Sequence, residues 1–247
     1  MNWPLEEKTV SARLDDYQAI TLPGIRNELS VRVGIARRKE GALVKRVLDL
    51  ALALPALIVL APLMALTALA IKLDSRGPVF FRQERLGLEG EAFTMFKFRS
   101  MFDDTPDAEH RRAIEAFARG EPIAIEDGRG TYKPKQDARV TRVGRFLRAS
   151  GLDELPQLFN VLRGEMSIVG PRPAIPYELD LYANWAYRRF AVRPGITGLW
   201  QVRRNDATNL EEMIRLDIEY VDKVSPLLDL KLIGATIPRI FFRGWGF

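Results

Sequence analysis

The densest run of hydrophobic positions lies at residues 50–71, LALALPALIVLAPLMALTALAI, where no side chain carries a charge. As a helix this run would be about 33 Å long, comparable to the hydrocarbon core of a bilayer. Helices buried inside soluble proteins are usually shorter. The pattern therefore predicts a membrane helix within residues 41–76.

Basic residues lie on both sides of this run, with Lys45 and Arg46 before it and Lys72 and Arg76 after it. Because basic residues favour the cytoplasmic face of a membrane, both ends of the helix are expected there. Pro62 lacks a backbone N–H and clashes with the preceding turn, which predicts a kink. A kinked helix that re-enters on the same face satisfies both observations, whereas a simple span satisfies only the length.

Residues 78–99 have the composition of a β-hairpin, since PVFFRQER and AFTMFKFRS flank the turn sequence GLEG. Lys97 and Arg99 alternate with phenylalanines, so one face of the second strand is expected to be apolar and the other cationic. An ordinary half-exposed strand with solvated charges explains the same alternation. The hairpin is therefore predicted, and a role for its cationic face is left open.

Apolar residues at helical spacing predict helices over residues 177–190, 210–224 and 227–242, and a short helix over 110–120. The chain ends in FFRGWGF, and Phe, Trp and Arg together suit a membrane interface, although core packing explains them nearly as well. Residues 1–40 lack the basic-then-apolar layout of a signal peptide. They are predicted to form an N-terminal extension.

Composition limits the chemistry that the chain can carry. There is no cysteine and a single histidine, His110, which excludes disulfides, a thiol nucleophile and a multi-histidine metal cluster. The formal net charge of +5 suits anionic partners such as a membrane surface or a nucleotide. No recognisable nucleic-acid-binding motif accompanies the charge, so nucleic acid is not an expected partner. Carboxylates, arginines and lysines remain as the candidate chemical groups.

An adjacent carboxylate pair, Asp153 and Glu154, lies in an arginine-rich segment at residues 141–173. The pair is followed by apolar residues at helical spacing: Leu155, Leu158, Phe159 and Leu162. Gly164 comes directly after this run and its flanking arginine. The pattern predicts a helix that begins at the pair and ends at the glycine.

Two interpretations of the pair remain open from its spacing. A helix N-terminus surrounded by arginines attracts phosphates, and a carboxylate pair can hold Mg²⁺. Alternatively, the sequence Ser150-Gly-Leu-Asp153 fits a helix-capping pattern, in which acids are common in the first turn.

Several of these segments together resemble one family, the small monotopic phosphoglycosyltransferases, or bacterial sugar transferases. The resemblance runs from about Lys45 to about Leu232 and rests on KRVLDLALAL with the later Pro62, VFFRQERLG, FKFRSM, DARVTRVGRFLRASGLDELPQLFNVLRGEMSIVGPRP and RPGITGLWQV, in this order. The expected fold is α+β and mainly helical. A re-entrant membrane helix is followed, over residues 77–247, by a compact cytoplasmic catalytic domain with a small β-hairpin and an interfacial C-terminal helix.

The resemblance implies a chemistry. Members of this family pass a sugar phosphate from a nucleotide sugar, usually a uridine diphosphate sugar, to polyprenyl (undecaprenyl) phosphate, and the nucleoside monophosphate leaves. Asp153 is then the nucleophile, which forms a phosphosugar–enzyme intermediate, and Asp153 and Glu154 are placed at Mg²⁺. A carboxylate that approaches a diphosphate meets repulsion, so Mg²⁺ and arginines must first neutralise the phosphate charge.

The resemblance also implies which residues bind the substrates. Arg148 and Arg172 are the expected phosphate contacts. Further candidates for the donor and acceptor pockets lie in the RPGITGLWQ turn and on the cationic strand: Arg193, Gln201, Lys97 and Arg99. A purely structural turn explains the RPGITG segment equally well.

The expected location is the bacterial inner (cytoplasmic) membrane, with the catalytic domain on the cytoplasmic face. The alternative function is a non-catalytic, membrane-anchored scaffold of a polysaccharide assembly complex. Neither the transferred sugar nor the oligomeric state follows from the sequence, although a homodimer is the commonest closed assembly.

Overall fold

The computed structural model describes residues 42–102, 108–120, 139–203 and 209–242. Its helices are α1 Ala42–Asp74, α2 Ala108–Ala118, α3 Arg142–Ser150, α4 Gln157–Arg163, α5 Leu199–Arg203, α6 Leu210–Lys223 and α7 Pro226–Phe242. Its strands are β1 Phe80–Leu86, β2 Ala92–Phe98, β3 Ser167–Val169 and β4 Gly195–Thr197. The described chain is mainly helical, as predicted, and has two small sheets, of which only the β1–β2 hairpin was predicted. The predicted extension at residues 1–40 lies outside the described residues.

The long apolar helix α1 extends beyond the charge-free run and contains 33 residues. Within the described ranges it is the one helix that is long and apolar enough to cross a membrane, judged by length and composition. Its most apolar window has a mean hydropathy of 2.4. Pro55 and Pro62 both lie inside the helix, which continues on either side of each proline. The kink at Pro62 stays a prediction.

Helix α1 packs against the rest of the described chain along its length. In its first half, Ala53 joins a buried cluster with Val161. In its second half, Ile71 joins another cluster with Phe98. Many of its other aliphatic side chains are exposed, including Val59 at 75%. One side of α1 is thus covered by protein, and another presents an apolar surface.

The predicted hairpin is confirmed. Strands β1 and β2 pair in antiparallel register, with Phe80 opposite Phe98 and Leu86 opposite Ala92. The connection between them contains Gly90 at a φ of 78°, a left-handed conformation that glycine adopts without strain. The hairpin buries part of its second strand against α1 and α4.

The segment predicted as one helix over 177–190 is instead two 3₁₀ helices, Pro176–Leu181 and Asn184–Ala191. Tyr182, between them, is extended at φ −90° and ψ 129°. Its ring packs against Phe190 and its hydroxyl bonds Glu178. Tyr182 also packs against the cluster that contains Leu86 and Ala174, and this tertiary packing accompanies the break in a segment whose apolar spacing suits a continuous helix.

The last two predicted helices are confirmed. Asn209 caps α6 by accepting a hydrogen bond of 2.9 Å from the backbone N–H of Glu212. Helix α7 buries Leu232 and exposes Leu227 and Ile237, at 63% and 51%. Strands β3 and β4 pair in parallel and connect the segment after α4 to the segment before α5. The predicted position of α7 at a membrane interface stays a prediction.

Candidate active site

The carboxylate pair, here called the dyad, lies in a 3₁₀ turn rather than in the first turn of an α-helix. Gly151, at φ 72°, ends α3 in a left-handed conformation and redirects the chain. Asp153 and Glu154 follow in the turn, and α4 begins after Pro156. Helix α4 ends at Gly164 with φ 80°, as predicted. Both dyad residues are 8% exposed, so each is largely shielded from solvent.

The capping interpretation of the dyad is met only in part, since both acids lie in the first turn of the 3₁₀ helix. The cap positions of the 3₁₀ turn and of α4 are occupied by Gly151 and Pro156, and neither makes a side-chain cap hydrogen bond. The hydroxyl of Ser150 instead donates back to the carbonyl of Phe146 at 2.8 Å. The capping pattern predicted for Ser150 and Asp153 is therefore not formed.

Lys97 on β2 contacts the dyad directly. Its Nζ lies 2.7 Å from Oε1 of Glu154, and the two side chains are 23% and 9% exposed. A partly buried ion pair is screened less by solvent than a surface pair. The cationic face predicted for the hairpin thus supplies a positive charge to the site.

Arg148 is held at the same end of β2. Its Nε donates to Oγ of Ser100 at 2.9 Å, and Ser100 lies three residues after Lys97. Gly144 allows this approach, because a Cβ at that position would lie 2.0 Å from the Ser100 carbonyl oxygen. Ser100 was not among the predicted site residues, although it lies in the quoted FKFRSM segment. Its function here is to fix α3, and hence Arg148, beside the hairpin.

Arg99 has described contacts with the end of the membrane helix. Its guanidinium donates to the backbone carbonyls of Ser75, at 2.9 Å, and Arg76. The side chain is 4% exposed, and Nε finds no partner within the described part of the chain. These contacts satisfy carbonyls just beyond the C-terminus of α1. Substrate binding by Arg99 stays a prediction.

Arg172 is held by a buried carboxylate. Its Nη1 donates to both oxygens of Glu178, at 2.8 and 3.1 Å, and the hydroxyl of Tyr182 donates to the same carboxylate at 3.0 Å. Burial alone would raise the pKa of Glu178, but the charges of Arg172, Arg85 and Arg189 hold it below its usual value. Arg172 is thus positioned by an ionised partner.

A second buried ion pair lies beneath the first. Arg189 and Asp217 approach to 2.5 Å with side-chain exposures of 1% and 0%, and Arg189 also donates to the backbone carbonyl of Arg172 at 2.8 Å. Burial raises the pKa of Asp217 to about 6, although Arg189 and Arg172 oppose the rise. This pair was not predicted from the sequence. The available signal was the position of Asp217 between Ile214 and Val221, on the apolar side of α6.

The two candidates from the RPGITGLWQ turn lie elsewhere. Nε of Arg193 donates to the carbonyl of Gly164 at 2.7 Å, at the end of α4 remote from the dyad. Gln201 is 7% exposed, and its Oε1 has no hydrogen-bond partner in the described part of the chain. Of the substrate-binding candidates, Lys97 has a described contact with the dyad. Substrate binding by Arg193 and Gln201 stays a prediction.

The donor set of the dyad suits Mg²⁺, since both groups are carboxylates, the hard oxygen ligands that this ion prefers. Among the described residues, no group of three or more Asp, Glu or His side chains gathers. Mg²⁺ commonly binds through one or two carboxylates and takes its other ligands from phosphates and water. Asp153 and Glu154 fit that pattern.

The chain is similar in sequence to several known proteins. The profile of the bacterial sugar transferases matches residues 40–243. The chain is 40% identical over 205 residues to the exopolysaccharide production protein ExoY of Sinorhizobium fredii. The aligned region covers 83% of this chain and 88% of that protein. It is 44% identical over 207 residues to the UDP-glucose:undecaprenyl-phosphate glucose-1-phosphate transferase of Caulobacter vibrioides. This alignment covers 79% of this chain and 69% of that protein.

A third relative is longer. The undecaprenyl-phosphate glucose phosphotransferase of Komagataeibacter xylinus is 44% identical over 209 residues, which represent 80% of this chain and 36% of that protein. The similarity therefore covers about four fifths of this chain in relatives of different length. From the profile match and these identities, the chain belongs to the bacterial sugar transferase family.

Proposed function

We propose that the protein transfers a sugar 1-phosphate from a uridine diphosphate sugar to undecaprenyl phosphate and releases UMP. The relatives from Caulobacter and Komagataeibacter are named for such transfers to undecaprenyl phosphate, and the Sinorhizobium relative is named for exopolysaccharide production. The reaction would be the first membrane step in the assembly of an exopolysaccharide or a related glycoconjugate.

The observation that carries the proposal is the contact between Lys97 and the dyad. Nζ of Lys97 lies 2.7 Å from Oε1 of Glu154 in a partly buried ion pair. This contact places a cation beside the carboxylate pair, where the negatively charged diphosphate of the donor would have to approach. In the proposed reaction Asp153 is the nucleophile, and Glu154 is held by the ammonium group beside it.

The transfer takes place in two displacements. A carboxylate oxygen of Asp153 bonds to the sugar-bearing phosphorus, and the bond from that phosphorus to the oxygen of UMP breaks. A phosphate oxygen of the lipid then bonds to the same phosphorus, and the bond to Asp153 breaks, which restores the carboxylate. Covalent catalysis of this kind divides a difficult transfer between a soluble donor and a membrane-bound acceptor into two easier steps.

Asp153 and Glu154 would hold Mg²⁺, which when bound supplies positive charge against the diphosphate. Arg148 and Arg172 are the proposed phosphate contacts of the chain itself. Both are oriented before substrate arrives, Arg148 by Ser100 and Arg172 by Glu178. Pre-oriented cations stabilise developing charge without reorganising during the reaction.

We further propose that α1 enters and leaves the inner membrane on the cytoplasmic face. Protein packs beside both halves of the helix, as the contacts of Ala53 and Ile71 indicate. A helix that crossed the bilayer straight would draw these polar-surfaced elements into the hydrocarbon layer at considerable cost. Cysteines introduced at Leu43 and Leu73, which are 78% and 79% exposed, should both react with an impermeant label from the same side.

The reaction is tested by UMP release from a panel of UDP-sugars, in detergent with Mg²⁺ and undecaprenyl phosphate. Asp153→Asn should abolish release, while Asp222→Asn, a change at a 51% exposed surface carboxylate, should not. Binding of a UDP-sugar without UMP release would instead favour the scaffold function. Turnover retained in Asp153→Asn would exclude Asp153 as the nucleophile.

A further inference from the structure

The first turns of the membrane helix hold the helix that follows the dyad. Arg46 donates from Nη1 to the carbonyl of Val161, at 2.6 Å, and from Nη2 to the carbonyl of Leu162, at 2.9 Å. Both carbonyls belong to the last turn of α4. Carbonyls in the last turn of a helix lack the usual N–H partner from the next turn, and a cation there also interacts favourably with the helix dipole. The carbonyl of Val161 accepts in addition from the backbone N–H of Gly164 at 3.0 Å.

Helix α4 is short, with seven residues, and is fixed by partners on several sides. From the other end of the chain, Arg193 donates to Gly164. Asn160, which is 0% exposed, joins α4 to the hairpin by accepting from the backbone N–H of Phe96 at 3.0 Å and donating to the carbonyl of Thr94 at 2.7 Å. Arg46 is the member of this set that comes from the membrane helix.

We propose that Arg46 is a positioning residue for the transfer reaction. By binding the C-terminal end of α4 to α1, it fixes the dyad, which lies just before α4, relative to the membrane and hence to the phosphate of a lipid acceptor. This inference rests on the proposed function for its catalytic consequence, but the contact itself is independent of any substrate. From the sequence, the positive charge of Arg46 is explained only by the orientation of the helix in the membrane. The contact with α4 gives the same side chain a second function.

Neighbouring residues attach α1 to other segments. Lys45 pairs with Asp229 of α7 at 2.7 Å, and Asp49 accepts from the hydroxyl of Ser167 at 2.8 Å. Asp49 also accepts from a backbone N–H of β3 at 2.9 Å. Loss of Arg46 alone should therefore leave α1 docked and the protein in the membrane, while the end of α4 loses its clamp.

The test compares Arg46→Gln with Lys72→Gln. Lys72 also flanks the membrane helix, is exposed, and donates to the carbonyl of Gly77 rather than to α4. Each variant removes one positive charge from the same membrane surface. The readouts are hydrogen–deuterium exchange of a peptide that covers residues 157–164, membrane association, and kcat and KM for the UDP-sugar that the wild type uses.

In Arg46→Gln, exchange at the end of α4 should accelerate about tenfold or more, because two charge-assisted hydrogen bonds are lost. Turnover should fall roughly tenfold to a hundredfold with KM nearly unchanged, as expected for a misplaced catalytic group. Lys72→Gln should match the wild type in exchange and kcat. Arg46→Lys should lie between wild type and Arg46→Gln, because one ammonium group cannot hold both carbonyls in the same fork geometry.

Unchanged exchange in Arg46→Gln would overturn the clamp, and faster exchange with unchanged kcat would overturn the positioning function. A fall in activity that only follows loss from the membrane would overturn it as well. If Arg46→Gln does not fold, Arg46→Lys decides the question. Exchange and kcat equal to those of the wild type in Arg46→Lys would overturn the proposal. If the wild type releases no UMP from any donor, the proposed function fails, and the exchange comparison still decides whether the clamp exists.

Discussion

Nζ of Lys97 lies 2.7 Å from Oε1 of Glu154, which joins the second strand of the hairpin to the dyad. The two residues are far apart in sequence, and the contact forms because β2 packs beside the turn that precedes α4. The hairpin therefore belongs to the site and is more than a structural neighbour. Its ammonium group lies beside one of the two carboxylates.

Replacing Lys97 with Met should reduce UMP release roughly 10²-fold, since a positive charge directed at the reacting groups is lost. Arg82→Met is the matched control, because Arg82 lies on β1 of the same hairpin and is exposed. Steady-state UMP release in detergent measures both. Equal activities of the two variants would show that Lys97 has no special function at the dyad.

Replacing Gly144 with Ala should destabilise the protein by several kcal/mol, because the new Cβ would lie 2.0 Å from the Ser100 carbonyl oxygen and cannot be accommodated without backbone movement. Gly234→Ala is the control. A Cβ there meets nothing within 4 Å, and Ala is favoured over Gly inside a helix by about 1 kcal/mol. Thermal unfolding in detergent should show a lower midpoint for the first variant and an equal or higher one for the second. The opposite order would contradict the close packing of α3 on Ser100.

The stability contribution of Asp217 should depend on pH. Its pKa in the folded protein is about 6, above the value of about 3.9 for an unperturbed aspartate. The folded state therefore binds the proton more tightly, and the associated stability is present below about pH 4 and is lost as the pH rises to about 6. As the pH rises from 4 to 7, the unfolding midpoint of the wild type should decrease relative to that of Asp217→Asn. An increase over that range would contradict the raised pKa.

Glu178 should show the opposite dependence, since its folded pKa is lowered. Its contribution is present above the usual glutamate pKa of about 4.3 and is lost as the pH falls below it. The wild type should therefore lose its stability advantage over Glu178→Gln at acid pH. The same series of unfolding midpoints measures this, and an advantage that grows as the pH falls below 4.3 would argue against an ionised Glu178 beneath Arg172.

Periodicity and turn residues predict much of the fold. Helices α1, α6 and α7, the hairpin and the end of α4 at Gly164 follow from local patterns, because each depends on residues close in sequence. The start of α4 does not, since Pro156 is tolerated in the first turn of a helix and the sequence allows a helix from Asp153 onward. The 3₁₀ turn that carries the dyad depends instead on the left-handed Gly151.

Arginine partners were the hardest feature to predict. Three arginines bind backbone carbonyls of segments remote in sequence: Arg99, Arg193 and Arg46. Every residue has a backbone carbonyl, so the residue types do not indicate which carbonyl will be the partner. Charge alone therefore predicts a phosphate site and a membrane flank equally well. The ion pair of Lys97 with Glu154 was predictable only as a cationic strand face, without its partner.

Intact-protein mass spectrometry tests the function of Asp153 most directly. The protein is incubated with Mg²⁺ and the UDP-sugar that supports UMP release, without undecaprenyl phosphate. We expect a mass increase equal to the UDP-sugar minus UMP, which is one sugar phosphate less a molecule of water. The increase should be located on the peptide that contains Asp153, be absent in Asp153→Asn and be discharged when undecaprenyl phosphate is added. UMP release coupled to lipid transfer with no covalent adduct, or an adduct that persists in Asp153→Asn, would contradict Asp153 as the nucleophile.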